Sequence, residues 1–332
     1  MHLRADRLRS GRPGTDWDAM KNACLTSSQS LPTEDVLVVG GGPAGAACAL
    51  WCHQLGLRVR LLEAASAIGG LQLLSPYTNR WLPGLPGKTG QQVAASLQSH
   101  LDLAEVPYQV DYRVVSIRRQ TTCGSWEVSD GVKRFASRYV VLATGSKPRG
   151  AGFVNSACVG VGPGLAMERI EVKGKRVAIL GGGDNAYDQA AFALQRGARE
   201  VHIYCRRPPH ALPILQERIP RESVYVGPFV ANQQTMTVNA AAYDVIGVQF
   251  GFQACLPGAL DLPTEHGYLQ VDRGGAVAHM PGLFAAGEVT NYWHPCVATS
   301  YAQGVQVAKV IQAELTRGPA TAFMRSREPM AA

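Results

Sequence analysis

Two glycine-rich segments hold the clearest chemistry in this 332-residue chain. The first reads Gly40-Gly41-Gly42-Pro43-Ala44-Gly45, the second Gly181-Gly182-Gly183-Asp184-Asn185-Ala186. Both have the spacing G-x-G-x-x-G/A. The first glycine makes a tight turn, and the second lets a diphosphate approach the backbone. The third small residue, Gly45 or Ala186, lets helix and strand pack closely. A helix that starts there turns its N–H groups and partial positive charge toward the phosphates. Each segment therefore predicts a dinucleotide site.

Charge separates the two. Glu63 follows the first segment by about 20 residues, at the end of an apolar run. A carboxylate there accepts a ribose 2′-hydroxyl and repels a 2′-phosphate. The equivalent place after the second segment holds Arg206-Arg207. Guanidinium forks bind phosphate in a bidentate manner, so this end predicts NADPH over NADH.

Such turns act only when strands and helices hold them. Apolar runs predict a strand over 35–39, a helix to about 55 and a strand over 57–62. The same order recurs as a strand over 175–180, a helix over 186–196 and a strand over 200–205. Two βαβ units about 140 residues apart are the main internal repeat. Further strands are predicted at 109–115, 126–128 and 138–143, the last ending at Ala143-Thr144-Gly145. Residues 224–252 read as β-like and irregular. A strand begins at 283 and ends at Gly287-Glu288, and 298–315 reads as a closing helix. Residues 1–30 are polar, basic and aperiodic, and are expected to be a disordered extension.

Composition narrows the class. Apolar residues make up 46% and charged residues 17%, and there are 36 Gly, which excludes disorder for the chain as a whole. Eight Cys are too few for a small disulfide scaffold. No apolar run reaches the ~18 residues of a membrane span, and the first thirty residues lack a signal-peptide core. A cytoplasmic location with free thiols is expected. The net charge of +7 is spread along the chain, which argues against nucleic acid and suits an anionic cofactor or an acidic partner. No set of metal ligands and no Ser/His/Asp arrangement is visible.

The order of motifs resembles that of the thioredoxin-reductase-like FAD/NAD(P)H-dependent oxidoreductases over about residues 35–312. The matching stretches are the first glycine turn, Gly69-Gly70-Leu71-Gln72, Trp81-Leu82-Pro83-Gly84, Ala143-Thr144-Gly145, the second glycine turn, Arg206-Arg207, and 283–288. The resemblance implies an α/β fold with two Rossmann-like dinucleotide-binding domains. The NADPH domain (150–249) is inserted into a discontinuous FAD domain (31–149 and 250–332). FAD is then expected on Gly40, Gly42, Pro43, Ala44, Gly45 and Glu63, with Gly70, Gln72 and the Ala143-Thr144-Gly145 turn nearby. Glu288, after Gly287, stands where the family usually has Asp, holding the ribityl and diphosphate region. A helix opening at Val297 and Ala298 aims its dipole at the flavin pyrimidine ring and stabilises negative charge there. NADPH is expected on Gly181, Gly183, Ala186, Arg206 and Arg207. Asp184 and Asn185 are read either as cofactor ligands or as helix caps. The short stretch after Arg207 implies that the usual β hairpins are trimmed. The resemblance also implies a homodimer.

One family feature is missing. Thioredoxin reductases carry a CxxC in the NADPH domain, and no two cysteines here are three residues apart. Cys158 is followed by Val161 at the second position, so the usual dithiol relay is not expected. Cys48 and Cys52 read as packing residues and Cys205 as incidental. His294 and Cys296 fall in the segment expected beside the flavin and are the catalytic candidates. The reading is an oxidoreductase that passes hydride from NADPH to FAD and then to ferredoxin, flavodoxin or a small oxidant. The alternatives are a small-disulfide reductase using a single Cys, and a non-catalytic flavoprotein sensor or binding protein.

Overall fold

The computed structural model describes residues 34–121, 124–258, 260–290 and 295–317. The extension expected over 1–30 and the candidate His294 lie outside the described residues. The chain opens with β1 (Glu34–Val39), α1 (Pro43–Gln54), β2 (Val59–Leu62), a 3-10 turn (Gly70–Leu74) and α2 (Gly90–Leu103). Then come β3 (Tyr108–Gln109), β4 (Ser116–Arg119), β5 (Trp126–Ser129), β6 (Arg134–Leu142) and β7 (Ser146–Pro148). The second unit follows with β8 (Val159–Val161), α3 (Leu165–Glu168), β9 (Arg176–Leu180), α4 (Asp184–Gln195), β10 (Glu200–Cys205) and α5 (Pro213–Gln216). It continues with β11 (Val224–Val226), β12 (Ala231–Asn232), β13 (Thr237–Val238), β14 (Ala241–Ala242) and β15 (Val245–Val248). The chain returns through β16 (Phe252–Ala254), β17 (Thr264–Glu265), β18 (Tyr268–Leu269), β19 (Leu283–Ala285) and α6 (Val297–Arg317).

Two sheets organise these elements. The larger runs β3-β2-β1-β6-β5-β4, with β19 also paired to β6. The nine-residue β6 makes this possible. Its first half pairs antiparallel with β5 and its second half parallel with β19, while β1 lies along the other edge. The smaller sheet is parallel throughout, in the order β11-β10-β9-β15-β8. Val36, Leu37 and Val38 in β1 and Val177 to Leu180 in β9 are fully buried, as strands covered on both faces require. The two crossings between the sheets, β7 and β16, run side by side as an antiparallel pair.

The two βαβ units are alike in detail. Both helices start on a glycine N-cap with no side-chain cap. Both end in the same 6→1 backbone bond, Leu57 N to Cys52 O and Ala198 N to Ala193 O. The C-terminal helix α6 returns to the first unit and lies on α1. A Cβ on Gly304 would come within 2.2 Å of the Ala44 carbonyl, so only glycine permits this approach.

Three expectations change. The strand placed at 109–115 is wrong. β3 ends at Gln109, and the strand that follows is β4. Residues 110–115 cross over instead, with Tyr112 buried as an anchor: its hydroxyl donates to the Lys133 carbonyl (2.9 Å). Helix α2 was not foreseen, although Thr89 and Gln92 form a capping box at its start. Trimming of the hairpins is only partial, because β12-β13-β14 form a three-stranded antiparallel meander of two-residue strands.

Candidate functional site

The first glycine turn opens into a cavity of about 490 Å³ at the C-terminal edge of the larger sheet. Gly40 has φ +109°, and a Cβ there would fall 2.3 Å from the Ala143 carbonyl oxygen. Turn and neighbouring strand end thus touch through bare backbone. Gly45 does as expected: its Cβ would overlap the Gly40 carbonyl, so this residue serves helix–strand packing and is not on the cavity wall. Gly42 differs. It is the N-cap of α1 in ordinary extended conformation (φ −70°), and the nearest atom to a Cβ there is the Gly70 Cα at 3.8 Å. The space beside Gly42 is therefore a cradle that a side chain would fill. The first turn of α1 contains no acid, and Pro43 at its head has no N–H to leave unpaired.

The rest of the wall comes from four separate stretches. Glu63 directly follows β2 and accepts hydrogen bonds from the backbone N–H groups of Gly41 and Ala65. Gly70 and Gln72 lie in the 3-10 turn, and Ala143, Thr144 and Gly145 follow β6. The Thr144 hydroxyl donates to the Cys255 carbonyl (2.6 Å), which ties the two crossings together. Glu288 accepts from Ser146 Oγ at 2.6 Å, and the Gly287 N–H donates to Gln303 on α6 (2.7 Å). Val297 and Ser300 bring the first turn of α6 to the wall, whereas Ala298 is not on it.

The second turn opens into a separate cavity of about 540 Å³, lined by Gly181, Arg206, Arg207, His210, Phe229 and Phe250 among others. Gly181 repeats Gly40, with φ +141° and the Gln249 carbonyl where a Cβ would be. Arg206 lies over the Phe250 ring at 5.8 Å. Ala186 is buried and packs the helix. Asp184 accepts a hydrogen bond from Leu212 N (2.8 Å), so its carboxylate holds the segment after Arg207 against the turn. It is not the helix cap, since Gly183 is the N-cap and carries no side chain. Asn185, half-buried in the first turn of α4, is not on the cavity wall.

The described cysteines are all free thiols. Cys158 lies beside Ser156 and the Met236 sulfur (3.7 Å), with no second cysteine beside it among the described residues. Cys48 and Cys52 are buried, and the Cys52 contact together with desolvation pushes the Cys48 thiol far above its ordinary value. Among the described residues no group of three or more potential ligands can hold a metal. Cys296 caps α6: its Sγ accepts from Thr299 N (3.5 Å) and its N–H donates to Thr299 Oγ1 (3.0 Å). It is not on the cavity wall.

Several wall residues fall outside every motif: Arg113, Ser146, Cys255 and Ser300 in the first cavity, His210 and Phe250 in the second. Only Ser146, directly after the Ala143-Thr144-Gly145 turn, was open to inference. Burial pushes the Cys255 thiol at the first cavity above its ordinary value, with Lys147 opposing. No described helix is long and apolar enough to cross a membrane.

Known proteins share this arrangement. The chain is 29% identical over 290 residues to a ferredoxin–NADP reductase of Limosilactobacillus fermentum, covering 78% of this chain and 86% of the relative. It is 27% identical over 289 residues to one of Lactococcus lactis subsp. cremoris, with the same coverage. Among solved structures, Lactococcus lactis thioredoxin reductase in its FR conformation superposes with a TM-score of 0.72 at 20% identity, over 86% of this chain and 99% of that one. Thioredoxin reductase from T. acidophilum gives 0.69 at 21% identity, over 85% and 99%. These likenesses establish a two-unit Rossmann-like fold of thioredoxin-reductase type. Residues 34–311, nearly all of the described chain, match the pyridine nucleotide-disulphide oxidoreductase family, and the chain belongs to it.

Proposed function

We propose that this FAD-dependent NAD(P)H oxidoreductase takes electrons from NADPH at the second cavity and delivers them, from FAD at the first, to a ferredoxin- or flavodoxin-type carrier. The observation that carries the reading is the contrast at equivalent strand ends. Glu63 faces the first cavity, while Arg206 and Arg207 face the second. The carboxylate suits an adenosine ribose without a 2′-phosphate, and the arginine pair suits one with it.

FAD, when bound, accepts a hydride from nicotinamide and passes electrons onward. The chain supplies the rest. Gly40 and Gly42 would let the diphosphate reach the N-terminus of α1, with Gly70 and Gln72 on the same wall. The first turn of α6 reaches the cavity wall at Val297, so its positive backbone potential would stabilise negative charge on a reduced flavin held there. Glu288 is held by the Ser146 hydroxyl through one oxygen, and its other oxygen would be the one to accept from a ribityl hydroxyl.

A carrier protein as acceptor is supported by the similarity to ferredoxin–NADP reductases, by the lack of a CxxC partner for Cys158 in the sequence, and by the net charge of +7. A single-thiol disulfide reductase has less support, because the Cys296 sulfur is engaged in capping α6. We further propose a cytoplasmic location, and a homodimer as the family resemblance implies. The test is anaerobic stopped-flow reduction of the FAD-loaded protein by NADPH, followed by turnover with ferredoxin, flavodoxin, thioredoxin and a small disulfide. Rapid bleaching and turnover with the acidic carriers is expected. A flavin that NADPH does not reduce refutes the reading.

A further inference from the structure

The two glycine turns differ in what stands above their second glycine. Nothing lies over Gly42 closer than 3.8 Å from a Cβ position. Over Gly183, the imidazole Nε2 of His210 lies 3.0 Å from that position, with Cε1 at 3.5 Å. The space that should admit a diphosphate to the head of α4 thus already contains a side chain. We propose that His210 is a phosphate-binding residue of the second site: it covers Gly183 in the free protein and turns to donate to the dinucleotide diphosphate on binding. The inference rests on the reading of the second turn as the NADPH site.

The local structure fixes the backbone of this residue and leaves its ring free. His210 N and Ala211 N both donate to the Gly182 carbonyl (3.0 and 3.2 Å), and Leu212 N donates to Asp184 (2.8 Å). The segment is therefore stitched to the turn on both sides of the ring. The ring itself is exposed and makes no hydrogen bond among the described residues, so rotation about its side-chain torsions breaks no bond. Charge gives the ring a task. Asp184 puts a carboxylate in the first turn of α4, where the first unit has none, and a carboxylate there opposes an incoming anion. Arg206 is already stacked on Phe250 beyond the end of β10. A donor over Gly183 offsets Asp184 at the diphosphate, leaving the arginine pair to the 2′-phosphate.

The test titrates FAD-loaded protein with NADP⁺ and with NAD⁺ by calorimetry, for the unmodified chain, His210→Ala and His210→Gln. Because His210 is exposed, neither substitution should change the melting temperature. His210→Ala is expected to weaken both nucleotides by a similar factor, about ten-fold, and His210→Gln, which keeps a donor, to recover most of it. Unchanged or tighter binding in His210→Ala makes the ring a mere cover and overturns the proposal. A loss confined to NADP⁺ overturns the diphosphate assignment. If Arg206→Ala with Arg207→Ala leaves NADP⁺ affinity untouched, the NADPH reading itself fails, whatever His210 does.

Discussion

Gly40 and Gly42 stand two residues apart in one turn, and the structure assigns them opposite burdens. Replacing Gly42 with alanine puts a methyl group into open space beside Gly70, at a φ of −70° that any residue adopts. The apoprotein should lose only the difference between glycine and alanine at an N-cap, about 1 kcal/mol or less. Ligand binding should suffer far more. The methyl extends ~1.5 Å from Cα into the path of the diphosphate, enough to break one or two charge-assisted hydrogen bonds to the backbone. At about 1.5–3 kcal/mol each, one lost bond weakens FAD about 10- to 150-fold. Gly40→Ala should behave in the reverse way. Its Cβ would sit 2.3 Å from the Ala143 carbonyl at φ +109°, so the turn cannot form unstrained. Strain of about 1–3 kcal/mol plus the clash should lower the melting temperature by several degrees before any ligand is considered. The assay is flavin content from visible absorbance, FAD affinity by titration of apoprotein, and thermal unfolding of both apoproteins. A Gly42→Ala protein that binds FAD normally, or one that melts as early as Gly40→Ala, would refute the assignment of that cradle to a diphosphate.

Arg206→Ala with Arg207→Ala should cut the preference for NADPH over NADH by about 10- to 150-fold, measured as the ratio of kcat/KM values; an unchanged ratio makes the pair surface charge only. Cys158→Ser should keep NADPH-driven flavin reduction, and neither form should reduce thioredoxin efficiently, since no second thiol among the described residues lies near Cys158; loss of a robust thioredoxin activity in the variant would show a pairing with a distant cysteine. Tyr112 should make stability sensitive to alkali. Burial raises its phenol to about 12 from an ordinary ~10, so its contribution is complete below pH ~10 and lost as pH rises through about 12. Tyr112→Phe should be less stable at neutral pH, with its hydroxyl bonds gone, and its unfolding curve should fall less steeply above pH ~10; parallel curves for the two proteins would contradict this.

Much of the molecule was legible in its residue order, for a local reason. A glycine turn between an apolar strand and an alanine-rich helix is encoded within about 30 residues. So β1, α1, β2 and β9, α4, β10 could be placed from spacing alone, and Glu63 and the arginine pair followed from strand ends. The third small residue of each turn, Gly45 or Ala186, reads as a packing position from the motif's spacing. Residues 109–115 failed because Tyr112 there anchors a crossing segment rather than a ladder, a choice made by the Lys133 carbonyl and the neighbouring sheet. Long-range closure settled the rest. Ser146 meets Glu288 across 142 positions, Thr144 meets Cys255 across 111, and Gly304 lets α6 lie on α1. Cys296 read as a redox candidate because cysteine beside a flavin invites that chemistry, yet helix geometry turns its sulfur to Thr299. His210 carried no motif at all. Its place over Gly183 arises because the chain after β10 folds back onto the turn, through backbone bonds that any residue can make and that residue types therefore do not announce.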